Sequence, residues 1–125
     1  MKHLLIILLL ALPTFEDIND DIANALKGGN AAELSKYFSE SIELKIIDQE
    51  KIYSRVQAEQ IVKDFFSKNS VKSFEYSHKS TPKNESSYAI GTLETAKGKF
   101  RVYILLKKAG TQFVIQQLRI EPGNE

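Results

Sequence analysis

The sequence predicts an α+β domain, a cone-shaped curved antiparallel sheet of about six strands wrapping about three helices. Three observations carry that expectation. Apolar residues recur at helical spacing through most of the stretch from Glu16 to Asn69, and at a period of two from Ser73 onward. Helices come first and a run of strands follows, an order that segregates helices to one face of a sheet. Gly91 falls in the middle of a strand pattern, where it marks a bend, and short helices fit best inside a concave sheet.

The elements follow in order. "EDINDDIANALKGGN" places Ile18, Ile22, Ala25 and Leu26 on one helical face, with acids at the end the helix dipole favours. Gly28-Gly29 stops it. Asn30 and Glu33 have capping-box spacing and open a second helix, expected to run through Leu34, Tyr37 and Phe38. "SIELKIIDQEKIYS" alternates at Ile42, Leu44 and Ile46, turns between Asp48 and Lys51, and resumes at Ile52 and Tyr53, the pattern of a hairpin. Ser54 and Gln57 repeat the capping-box spacing ahead of a third helix carrying Ala58, Ile61, Val62, Phe65 and Phe66. "SFEYSHK" then alternates, placing His78 in phase with Phe74 and Tyr76. "TPKNES" is a turn, "SYAIGTLET" a strand and "AKGK" a tight turn.

The last hairpin, "KFRVYILLKKAGTQFVIQQLRI", has two apolar faces rather than one. Phe100, Val102, Ile104 and Leu106 form the first; Tyr103 and Leu105 interrupt the polar residues of the second. The first face is expected to meet the helices. The second, with Tyr103, Leu105 and Leu118, is expected to form an interface on the convex side, two-fold pairing being the commonest use of such a patch.

With 125 residues, 42% hydrophobic, 26% charged and a net charge of +1, the chain has a globular composition and the length of one domain. It lacks the basic excess of a nucleic-acid binder. Acids outnumber bases in the helical half and bases outnumber acids in the sheet half, a dipolar arrangement that solvated and internally paired charge would also produce. The start, "MKHLLIILLLALPTF", joins a short basic tip to nine apolar residues, Leu4 to Leu12. A spanning helix needs about 20, so residues 1–15 are read as a signal peptide, residues 16–125 as the domain, and the membrane as met only through that segment. The expected location is periplasmic or extracellular. No cysteine is present, and His78 is the histidine that remains beyond the segment, so zinc sites of Cys and His, a cysteine nucleophile and an internal disulfide are excluded. No cofactor is expected. "DINDDI" begins like a calcium loop at Asp17, Asn19 and Asp21, but Ile22 stands where glycine is needed. "NES" at Asn84 is a glycosylation triplet in a turn.

Three stretches, "GNAAELSKYF", "IYSRVQAEQIVKDFFSKN" and "YAIGTLETAKGKFRVYILLKKAGTQFVIQQLRI", are similar to a family of short secreted bacterial proteins known as a domain of unknown function. The element order resembles the nuclear transport factor 2-like superfamily, which includes ketosteroid isomerases and SnoaL-like cyclases. That resemblance implies a cone, and fold alone does not choose among the activities it hosts. Isomerases of this kind need a carboxylate base and oxyanion donors in an apolar cavity. Glu43, Asp48, Glu50 and Glu94 fall in no stretch that matches such a motif. The polar groups expected nearest a cone pocket are Tyr37, Tyr53 and His78, with solvent at a strand end as the other reading for His78.

The leading expectation is therefore a secreted or cell-envelope binding module without catalysis. It would hold a small apolar ligand or a protein partner and would pair with a second copy through the convex face. The alternative is a small lyase, isomerase or cyclase using the cone pocket.

Overall fold

The computed structural model of the chain describes residues 15–123. The segment read as a signal peptide lies outside the described residues save Phe15, at which the first helix opens. The elements are α1 (Phe15–Lys27), α2 (Ala31–Ser35), β1 (Phe38–Ile46), β2 (Gln49–Ser54), α3 (Arg55–Lys68), β3 (Val71–Lys79), β4 (Ser86–Thr95), β5 (Gly98–Ala109) and β6 (Gln112–Pro122). The six strands form one sheet in the order β2-β1-β6-β5-β4-β3.

Local signals explain most of the boundaries. Asn30 accepts from the Glu33 backbone N–H at 3.0 Å and starts α2. The helix ends sooner than its periodicity suggests, because Phe38 leaves it to pair with Ile115 and is fully buried. A complete capping box of Ser54 and Gln57 opens α3, a device that contributes about 1 kcal/mol. Between β1 and β2 the two-residue turn Ile47-Asp48 holds Ile47 at φ 61. A branched side chain crowds the backbone there, at a cost of roughly 1–2 kcal/mol.

Strands β3 to β6 form an antiparallel meander, and the β1–β2 hairpin joins it through β1 alone. That joint is parallel, with Leu44 beside Leu118 and Ile46 beside Ile120, and among the described residues it is the one departure from an antiparallel sheet. Gly91 allows the curvature. It pairs with Tyr76, and a Cβ there would lie 2.5 Å from Phe74 Cζ and 2.7 Å from the Glu75 carbonyl oxygen.

The helices lie on the concave face: α1 meets β3, and α3 meets β1 and β2. Between the layers sit Ile22, Leu26 and Leu34 from α1 and α2, Val62, Phe65 and Phe66 from α3, and Phe38, Phe74, Leu93, Phe100, Val102, Ile104 and Leu106 from the sheet. Burying these side chains drives the layers together, each large one contributing roughly 1.5–3 kcal/mol. Phe100, Val102, Ile104 and Leu106 face the helices, as their alternation implies. Among the described residues, no helix is long and apolar enough to cross a membrane.

Candidate functional site

Two of the sheet's register shifts decide which face His78 and Leu118 reach. In β3 the register shifts between Tyr76, which pairs with Gly91, and His78, which pairs with Ile90. The extra residue, Ser77, inverts the alternation. His78 therefore leaves the phase of Phe74 and Tyr76 and turns outward onto the convex face, where it is exposed. In β6 the register shifts between Ile115, opposite Leu106, and Gln117, opposite Leu105. Gln116 is the extra residue. Leu118 consequently pairs with Ile104, is fully buried and belongs to the core. The expectation that Leu118 joins Tyr103 and Leu105 on the convex face is corrected: those two lie outward and half-buried, and Leu118 lies inward.

The three polar groups expected near a pocket do not converge. Tyr37 lines a cleft of about 250 Å³ between α1 and α2, with Asp21, Asn24 and Glu33. Its hydroxyl is pushed above the ordinary phenol range, first by burial and then by the Asp21 carboxylate that it hydrogen-bonds. Tyr53 packs against the core from β2. His78 is correctly placed by the solvent reading, not the pocket one. Its ring lies 5.5 Å from that of Tyr88, and its Nε2 is 3.3 Å from the Tyr88 hydroxyl.

On the concave side one polar group stands out that sequence reasoning missed. Asn19 is 3% exposed, and its side-chain oxygen has no hydrogen-bond partner. The Tyr76 hydroxyl donates instead to the Asn19 backbone carbonyl at 2.7 Å. The sequence signal for Asn19 was its place between Ile18 and Ile22 on a buried helical face, obscured by the acids around it. Among the described residues, no cluster of three or more His, Asp or Glu side chains could hold a metal ion.

The convex face divides in two. Across β3, β4 and β5 an aromatic and aliphatic cluster occupies part of it, with Thr92 opposite Arg101 and Glu94 opposite Lys99 nearer the β4–β5 turn. Tyr88 and Tyr103 stack at 6.0 Å, His78 extends the row, and Ile90 and Leu105 lie beside it. Across β1, β2 and β6 it carries polar groups paired to one another beside Ile52, which lies opposite Glu43 and is 69% exposed. Lys45 binds Glu121, Arg119 Nη2 donates to Glu50 at 3.1 Å, and Gln117 Nε2 donates to Glu43 at 3.0 Å. The Lys45 ammonium holds the Glu121 carboxyl below its ordinary range. All three links reach from β6 to β1 or β2 and so brace the parallel joint. A shallow depression of about 320 Å³ lies where the halves meet, lined by Ile90, Arg101, Tyr103, Gln117, Arg119 and Glu121.

The family model DUF4783, described as a domain of unknown function, matches residues 19–121. A DUF4783 family protein from Bacteroides ovatus is 37% identical, with a TM-score of 0.80 over 84% of this chain and 94% of its own. Another, from Bacteroides uniformis, is 34% identical, with a TM-score of 0.82 over 86% and 99%. A domain of unknown function with a cystatin-like fold from Nostoc punctiforme shares the fold at 11% identity, with a TM-score of 0.68 over 86% and 74%. No curated protein matches the chain.

Proposed function

The chain belongs to the DUF4783 family, a domain of unknown function, and from that premise we propose that it is an exported, non-catalytic binding module of the cell envelope. Its working surface is the outer face of the sheet and its partner is a protein, for which a second copy is the simplest case. The observation that carries this reading is how the two sheet faces are occupied. The concave face is filled by the chain's own Phe, Leu, Ile and Val side chains. The outer face presents Tyr88, Tyr103, Ile90 and Leu105 beside a frame of charges already paired to one another. Aromatic and aliphatic groups framed by satisfied polar ones are the composition of a protein interface. Export rests on the apolar run from Leu4 to Leu12 after a basic tip.

The test is Tyr103→Lys with Leu105→Lys, followed by sedimentation velocity and thermal melting. The double variant should keep the melting temperature, because both side chains point outward, and lose the partner mass carried by the unchanged protein. A partner retained by the folded variant at low micromolar concentration contradicts the reading. A second reading has one observation in its favour. The unpartnered Asn19 oxygen would accept from an apolar ligand that carries a hydrogen-bond donor.

A further inference from the structure

We propose that the tip of the β1–β2 hairpin is a self-association contact separate from the outer face. In it, Ile47 of each copy seats in the groove beside Ile47 of the other. The starting point is an isoleucine that neither the backbone nor the solvent favours. Ile47 lies at φ 61 and is 43% exposed. Its backbone N–H donates to the Ile120 carbonyl at 2.7 Å, a role that needs no side chain and that glycine or asparagine fills with less strain. A strained residue that stays 43% exposed at the wall of an apolar groove points to a contact outside its own fold.

Beside it runs a groove of about 260 Å³ between the hairpin turn and α3. Half-buried Ile46 and Ile61 and buried Phe65 make its apolar floor, and exposed Asp48, Asp64 and Lys68 stand around it. Knob and groove therefore share one surface. A two-fold axis between two copies fills both grooves at once, and such a contact closes on itself. The charges suit that pairing. Lys68 stands 3.1 Å from Asp64 at the groove wall, and the two-fold offers it Asp48 from the other copy. A contact this small predicts weak association, which concentration reveals.

Sedimentation equilibrium of the exported protein, from micromolar to millimolar concentration, tests this. Ile47→Asn and Ile47→Gly should each melt no lower than the unchanged protein and associate about tenfold more weakly or worse, the loss expected for a buried aliphatic anchor. Asp48→Lys and Lys68→Asp should each weaken association, and the two combined should restore it. Tyr103→Lys should leave it intact, which separates this contact from the outer-face reading. A Tyr103→Lys protein that stays monomeric throughout the range overturns the proposal. So does association unchanged in both Ile47 variants, or a charge-swapped double variant that does not recover.

Discussion

Gly91 sets how closely the Phe74 ring can lie over β4, and through that contact how sharply the sheet curves. A Cβ at this position would meet both the ring and the Glu75 carbonyl oxygen well inside van der Waals range. Gly91→Ala should therefore destabilise the fold by about 2–3 kcal/mol in urea denaturation, the scale of overpacking in a tight core. The penalty should shrink in a Phe74→Leu background, because the smaller side chain clears part of the space. Equal penalties in both backgrounds would assign the effect to the backbone instead. Asn19 poses the converse case, a polar atom in a space it does not use. Asn19→Leu should leave stability unchanged or raise it by up to about 1 kcal/mol, since it removes an unsatisfied acceptor and improves helix propensity. A loss of stability would show that the oxygen has a partner in solution and would favour the interior-ligand reading. The importance of Gly91 was legible in the sequence because glycine inside a strand pattern has few other uses. That of Asn19 was not, because "DINDDI" reads first as helix-start acids.

At the scale of elements, the three helices, the hairpin and the meander were all legible from capping spacings and from the change of period at Asn69. What failed was parity within two strands. His78 and Leu118 are each displaced to the opposite face by one extra residue, Ser77 and Gln116. Neither residue announces a bulge, as a glycine or proline would, so alternation counted along the strand carries straight through it. The parallel β1–β6 joint was equally hidden, because a joint between the first and last strands leaves no local signature. Its polar braces make a pH prediction. Lys45 holds Glu121 below its ordinary value of 4.5, so the pair's stabilisation is present above that value and is lost as pH falls through the depressed one. Lys45→Met should be less stable than the unchanged protein at neutral pH and should lose less on acidification, so that the two urea midpoints converge below pH 4.5. Parallel acid limbs would show that the brace does not persist in solution.

At the scale of the whole molecule, the proposed binding falls to the outside of the cone. Three helices and the concave face consume most of the apolar side chains in one another, and the face left over carries the Tyr88–Tyr103 stack on one half and paired charges beside exposed Ile52 on the other. An interior packed with Phe and Leu offers little to a substrate, whereas an exposed aromatic patch offers a partner area with little entropy to lose. This division was half legible. Tyr103 and Leu105 marked the second face of β5, but Tyr88, Ile90 and His78 join them only through a register set by the folded sheet. The central claim, that the outer face and not the interior does the binding, is most directly tested by native mass spectrometry of the purified protein with nothing stripped away. The account predicts a species with added protein mass, a second copy or another chain, and no small molecule retained. A monomer carrying the mass of a small ligand would contradict it and would move the working site to the interior beside Asn19.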